Sequence, residues 1–200
     1  MYKYIIPILL LICVMFLGFS CHECRLAQDF KFSEGQKAQN PFKGYETLIY
    51  NASDSVIEFT GNGRENSVHE YDISQSSCDW GVEEIDELRF KNNFYEISLR
   101  MSDRHDYDLY LFDKTNDIDL MSSFYIESDP KNNSGYDEFM DSLNVGGFTY
   151  FNIYKNHLFS PYDFPDSLNH AVNLYYSIEY GIVKFDFSDG STWELKEIIW

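Results

Sequence analysis

Basic residues are scarce in this sequence: 15 Lys and Arg stand against 33 Asp and Glu, a formal charge of −18. A surface of that sign repels phosphate backbones and anionic headgroups, so nucleic acid is not an expected partner. Catalytic signatures are also missing. There is no Gly-x-Ser-x-Gly elbow, no phosphate loop and no His-Glu-x-x-His spacing. The five histidines, His22, His69, His105, His157 and His170, are scattered along the chain. Repeats and low-complexity tracts are absent, and beyond residue 19 no long apolar run occurs. Tryptophan is rare at three residues, whereas 16 Tyr and 17 Phe supply an aromatic content that favours strands over helices. Two hundred residues suffice for one domain with a real core.

The one long apolar run is Tyr4 to Phe19, preceded by Lys3 and broken by Pro7 and Gly18. It reads as the core of an export signal spanning residues 1–20. An uncleaved membrane anchor is the alternative, although the run is short for a span of about 20 residues and has no basic cluster behind it. The segment Leu17-Gly18-Phe19-Ser20-Cys21 follows. It resembles the lipobox of bacterial lipoproteins, in which a small residue precedes a cysteine that is lipidated and becomes the new N-terminus. Ser20 and Cys21 match those positions. Gly18 stands where Leu is usual, and Phe19 where a small residue is usual. Ordinary cleavage near Ser20, leaving Cys21 as a free thiol, is the competing reading. The resemblance implies a lipid-anchored protein of the bacterial cell envelope, periplasmic or surface-exposed.

Cys13 leaves with the signal, so the mature chain keeps Cys21, Cys24 and Cys78. If Cys21 carries lipid, one pair remains, and an oxidising compartment favours a Cys24–Cys78 disulfide. Cys21-His22-Glu23-Cys24 has no second ligand pair to complete a metal site.

Residues 21–40 are polar and read as a tether, with a frayed strand around Phe30-Lys31-Phe32 as the other reading. From residue 41 to 200, short strands alternate with turn signals, which predicts a single, mainly β domain. The expected architecture is an antiparallel meander forming a curved sheet, half-barrel or sandwich with one or two short helices. Asn62-Gly63 is read as a turn, and Asn92-Asn93 as a two-residue loop pairing Phe90 with Tyr95. At the C-terminus a three-residue loop, Ser188 to Gly190 with Gly190 left-handed, sets Phe185 opposite Trp193 and Val183 opposite Leu195. Gly135 to Leu143, capped by Ser134, is the best helix candidate, and Val82, Ile85 and Leu88 offer a second.

The closing segment, Gly181-Ile182-Val183-Lys184-Phe185 with Gly190-Ser191-Thr192-Trp193-Glu194-Leu195, is similar to the end of many uncharacterised envelope lipoproteins. Asn144 to Tyr154 resembles the strand pair that precedes it in them. The resemblance implies a curved antiparallel sheet, sometimes an open half-barrel like that of lipoprotein carriers, and no catalytic residues.

Oxygen ligands are densest at Asp103, Asp106 and Asp108, calcium candidates whose spacing matches no defined calcium loop. The function these readings favour is a non-catalytic binding or interaction module. Its partner would be an envelope protein, a carbohydrate or an apolar ligand. A hydrolase with an unrecognised carboxylate pair and a purely structural envelope protein are the alternatives. No cofactor other than calcium is suggested.

Overall fold

A computed structural model describes residues 24–53, 55–73, 79–102, 106–125, 136–162, 165 and 167–200. Residues 1–20, expected to be an export signal, and Cys21 and Cys78 therefore lie outside the described residues. Among the described residues no helix is long and apolar enough to cross a membrane.

The chain divides into two compact units. The smaller comprises residues 1–29 and 70–82, and the larger residues 30–69 and 83–200. Strands are β1 (Leu26–Phe30), β2 (Thr47–Ala52), β3 (Ser55–Asp72), β4 (Trp80–Lys91), β5 (Tyr95–Met101) and β6 (Asp106–Asp113). They continue as β7 (Ile118–Tyr125), β8 (Glu138–Val145), β9 (Phe148–His157), β10 (Ala171–Ser177), β11 (Gly181–Phe187) and β12 (Thr192–Ile199). A one-turn helix, α1 (Glu34–Lys37), is held by a capping box between Ser33 and Gln36. The stretch expected to be a tether is thus folded from Leu26 onward. Its polar residues are used for caps and ion pairs, while Phe32 and Phe42 are buried.

In the smaller unit, Trp80 N–H donates to the Arg25 carbonyl at 3.2 Å and Arg25 N–H to Asp79 Oδ1 at 3.4 Å. Cys24 is disulfide-bonded. Arg25 and Asp79 each follow a cysteine in sequence, and a Cys24–Cys78 pairing remains the expectation that their hydrogen bond leaves to be tested. Thiol labelling of the mature protein without reductant should leave Cys24 and Cys78 unmodified. Labelling of both would rule the bridge out. On the loop-entropy account, closing about fifty residues contributes about 4 kcal/mol.

The larger unit is one antiparallel sheet curled into a half-barrel, in the order β7-β6-β5-β4-β3-β2-β12-β11-β10-β9-β8. Its two ends approach each other where Met121 of β7 and Phe159, just after β9, exchange N–H···O bonds of 2.8 and 2.9 Å. Alternation along each strand sends one set of side chains inward. Leu88, Leu99 and Leu109 form one cross-strand row, and Phe90, Ile97, Leu111 and Leu120 the next. Aromatic rings occupy much of the inner face, beside a cavity of about 170 Å³ whose lining includes Tyr95, Leu111, Leu120, Ala171 and Phe187. Trp193 touches Phe187, Tyr95, Phe185 and Phe59 at centroid distances of 4.7, 4.8, 5.8 and 6.0 Å. Further round, Tyr107, Phe124 and Tyr176 contact one another at 5.3 to 5.9 Å.

The C-terminal hairpin has the expected register, Phe185 opposite Trp193, with a Phe187 N–H to Ser191 carbonyl bond and Gly190 at φ +85. Other local expectations are corrected. β3 runs straight through Asn62-Gly63. There Gly61 N–H bonds to the Glu46 carbonyl and Gly63 N–H to the Gly44 carbonyl, and a Cβ on Gly61 would lie 2.3 Å from the Gly44 oxygen. The glycines mark close backbone approach instead of a turn. Phe90 pairs with Ile97 rather than Tyr95, because Asn92 Oδ1 accepts from Phe94 and Tyr95 N–H and lengthens the loop. That shift is two residues, so the inward face is preserved. Both helix candidates are strands, β8 and β4. β8 is drawn into the sheet by Phe139 opposite Tyr154 and Leu143 opposite Tyr150.

Candidate functional site

Three places in the larger unit gather chemistry. The first is a buried charge network at one end of the half-barrel. Glu84 and Asp86 occupy inward positions of β4, continuing the line of Leu88 and Phe90. Arg64 on β3 grips Asp86 with both its Nε, at 2.8 and 3.0 Å, and its Nη2, while Nη1 donates to the Phe42 carbonyl. Glu84 accepts from Asn66 at 2.7 Å, from Phe32 N–H at 2.9 Å and from Lys37 Nζ at 2.9 Å. Burial pushes the Glu84 carboxyl up, but these donors outweigh it and hold the group below the ordinary glutamate range. Tyr176 and Tyr107 hydroxyls donate to the Gln39 and Gln36 carbonyls at 3.0 and 3.4 Å. Every group here is committed to another part of the fold. The network therefore fastens residues 32–42 across the end of the sheet.

The second place is an aromatic cleft of about 290 Å³ beside the β8–β9 turn. Gly146 and Gly147, both at positive φ, make the two-residue turn. Gly146 N–H donates to Glu194 Oε2 at 3.1 Å, which lays the tip of this hairpin against β12. One wall is Phe148 and Tyr150, and the opposite wall is Tyr180, Ile198 and Trp200. Tyr150 and Tyr180 meet edge to face at 5.2 Å. Midway along β9, Asn152 is left-handed at φ +54, and on its N-terminal side Phe151 turns outward. Of the residues lining the cleft, Phe148 is 62% exposed and Trp200 65%, and Lys196 and Glu197 stand beside them.

The third place is a depression of about 430 Å³ on the outer face of β4 to β7. Ser98 forms its floor.

The sequence-predicted residues fare unequally. Asp103 lies outside the described residues. Asp106 pairs with Tyr125 in the β6–β7 ladder, and Asp108 accepts a 2.5 Å bond from Ser123 Oγ. Asp113 caps the next turn, accepting from Thr115 and Asn116 N–H. Among the described residues no three His, Cys, Asp or Glu side chains converge as a metal site. His69 contacts Ser67 Oγ, and His170 Nδ1 lies 2.9 Å from the Leu168 carbonyl oxygen. Both histidines serve local structure. Sequence reading missed the cleft because its walls come from three separate strand ends. The signal that could have found it was Phe148, a bulky residue immediately after a Gly-Gly turn.

Comparison with protein-family models, with curated proteins and with solved structures returns no match.

Proposed function

We propose that the protein is a lipoprotein of the bacterial cell envelope, anchored through Cys21, whose β domain is a non-catalytic interaction module engaging its partner through the aromatic cleft. The observation that carries this reading is the contrast between the packed core and the exposed rings at the cleft. Core aromatics are interlocked and dry, whereas Phe148 and Trp200 stand in solvent at an open concavity. Leaving such residues exposed is unfavourable unless something covers them, and clustered exposed aromatics are a mark of interaction sites. The acid-rich surface keeps the domain soluble and separated from anionic headgroups, which suits a protein held at a membrane by lipid alone.

Anchoring and binding are tested separately. Cys21→Ala should release the protein from the membrane fraction, and retention of intact, uncleaved Cys21→Ala protein would favour a helical anchor. For the cleft, a photo-crosslinking side chain placed at Phe148 or Trp200 in living cells should trap one discrete adduct. The same group at Val56, a half-exposed apolar position outside the cleft lining, should not. Identical adducts from all three positions, or none, would remove the cleft from the account.

A further inference from the structure

The alternation that packs β12 breaks near its end. Trp193 and Leu195 are two residues apart and both buried, but the next apolar residue, Ile198, comes three positions later. The ladder with β2 absorbs the extra residue as a bulge: Leu195 is opposite Tyr50, Glu197 is opposite Ile49, and Lys196 has no partner in that ladder. Beyond the bulge β12 stays paired with β2 through Ile199. On its other side it does not. The ladder with β11 places Asp186 opposite Thr192, Phe185 opposite Trp193 and Lys184 opposite Glu194, and it stops there.

From that point β11 follows β10 instead, with Ile182 opposite Tyr176 and Gly181 opposite Ser177. The Ile182 carbonyl accepts the hydroxyl of Tyr50 at 2.9 Å, although Tyr50 belongs to β2, on the far side of β12. Phe42 spans the separation between the two strands. A Cβ on Gly181 would lie 2.2 Å from its ring, and its centroid is 6.3 Å from that of Trp200. Residues 195–199 therefore present a main-chain edge that no described strand takes up. The aromatic cleft opens on this same stretch, because Leu195 and Ile198 line it together with Phe148, Tyr150, Tyr180 and Trp200.

An unpaired edge with a side-chain pocket beside it is the pairing of features that peptide recognition by strand addition uses. Main-chain hydrogen bonds hold an extended segment, and the pocket selects one of its side chains. At about 290 Å³ the cleft stands at the floor of the range of about 300–1,000 Å³ typical of small-molecule pockets, so it suits one bulky side chain carried on a longer segment. We infer that the partner of the cleft is an extended peptide segment that adds to the free edge of β12 and places one bulky apolar side chain among Phe148, Tyr180 and Trp200. Charge sets its flanks. Glu194 and Glu197 outnumber Lys196 on this part of β12, and Glu179 adjoins Tyr180, on a chain of net charge −18, so basic flanking residues are favoured over acidic ones. The inference rests on the proposed role of the cleft and adds the class of partner.

The test is NMR titration of the mature chain with the pentapeptides acetyl-Lys-Thr-X-Thr-Lys-amide, in which X is Phe, Leu or Trp. The peptide with Ala at X is the small counterpart, and acetyl-Glu-Thr-Phe-Thr-Glu-amide the acidic one. At least one bulky, basic peptide should bind with a Kd of about 1 mM or tighter, and the Ala and acidic peptides should bind about ten-fold or more weakly than it. Binding should slow hydrogen exchange at main-chain amides within residues 195–199. Phe148→Ser should weaken it about ten-fold, whereas Val56→Ser should leave it unchanged. Because alternate amides of a strand face its neighbour, N-methylating one alternate set in the peptide should abolish binding, and N-methylating the other set should spare it. Equal effects of the two sets, or absence of binding by all three bulky peptides, would overturn strand addition. Crosslinking at Phe148 and Trp200 reports on the cleft itself, so failure of the peptide inference is distinguishable from failure of the cleft.

Discussion

Trp193→Ala is expected to cost about 3–5 kcal/mol, the range for removing a large aromatic from a packed core, and so to lower the melting temperature sharply. Trp193 is only 6% exposed, and four other rings converge on it from β3, β5 and β11. Deleting the indole leaves a cavity whose walls belong to strands already fixed by their ladders, so collapse around it is limited. Lys184→Ala, on the outward face of the neighbouring strand, should change stability by about 0.5 kcal/mol or less. Lys184 pairs with Asp186 at 2.8 Å and lies over the Tyr175 ring at 5.0 Å, both partly solvated contacts. Thermal melts of the two variants decide the matter. An unchanged melting temperature for Trp193→Ala would move that residue from the core to a binding surface.

The second large effect is expected at Asp86. Its side chain is 1% exposed, and that of Arg64, which pairs with it, is 25% exposed. Asp86→Ala leaves the guanidinium without its counter-charge and frees it from the position in which it also holds the Phe42 carbonyl. The cost should fall near the lower end of the about 3–5 kcal/mol typical of breaking a buried pair, since water reaches part of Arg64. Glu138→Ala, which removes the exposed Lys155–Glu138 pair, should cost about 1 kcal/mol or less. Chemical denaturation of both variants compares them directly, and equal losses would contradict a buried, structural role for Asp86. The same network sets the acid response. Because Glu84 is held below the ordinary glutamate range in the folded protein, its contribution is full above that range. It disappears as pH falls through the lowered value. Glu84→Gln should therefore flatten the acid limb of the stability curve.

Much of the sheet was legible because its strands alternate plainly. Phe185 and Trp193 could be set opposite each other from the parity that a three-residue loop imposes. β4 was harder. Its inward line reads Val82, Glu84, Asp86, Leu88, Phe90, and two carboxylates in the middle of a core-facing row break the pattern that identifies a strand. Their charge is tolerated only because Arg64 and Lys37 arrive from parts of the chain twenty and more residues away. β8 failed for another reason. Tyr136, Met140 and Leu143 share a helical face as readily as Phe139 and Leu143 share a strand face, and only the pairing with β9 chooses between them. The polar stretch before residue 41 concealed structure because what orders it is capping and ion pairing instead of apolar periodicity. Of the candidate sites, the hollow at Ser98 is invisible in one dimension. It exists only when three strands bring Arg89, Ser98 and Tyr110 into one row.

The packed rings of the inner face leave the proposed binding to the surface of the domain. The most direct measurement is titration of the purified mature domain with a fluorescent long-chain fatty acid, a probe that a hollow half-barrel would enclose. The packing of Tyr107, Phe124 and Tyr176 against one another, and of Trp193 among its four neighbours, predicts no saturable one-to-one binding. Stoichiometric uptake of the probe, abolished by enlarging an interior side chain such as Leu174→Trp in a variant that still folds, would contradict the account.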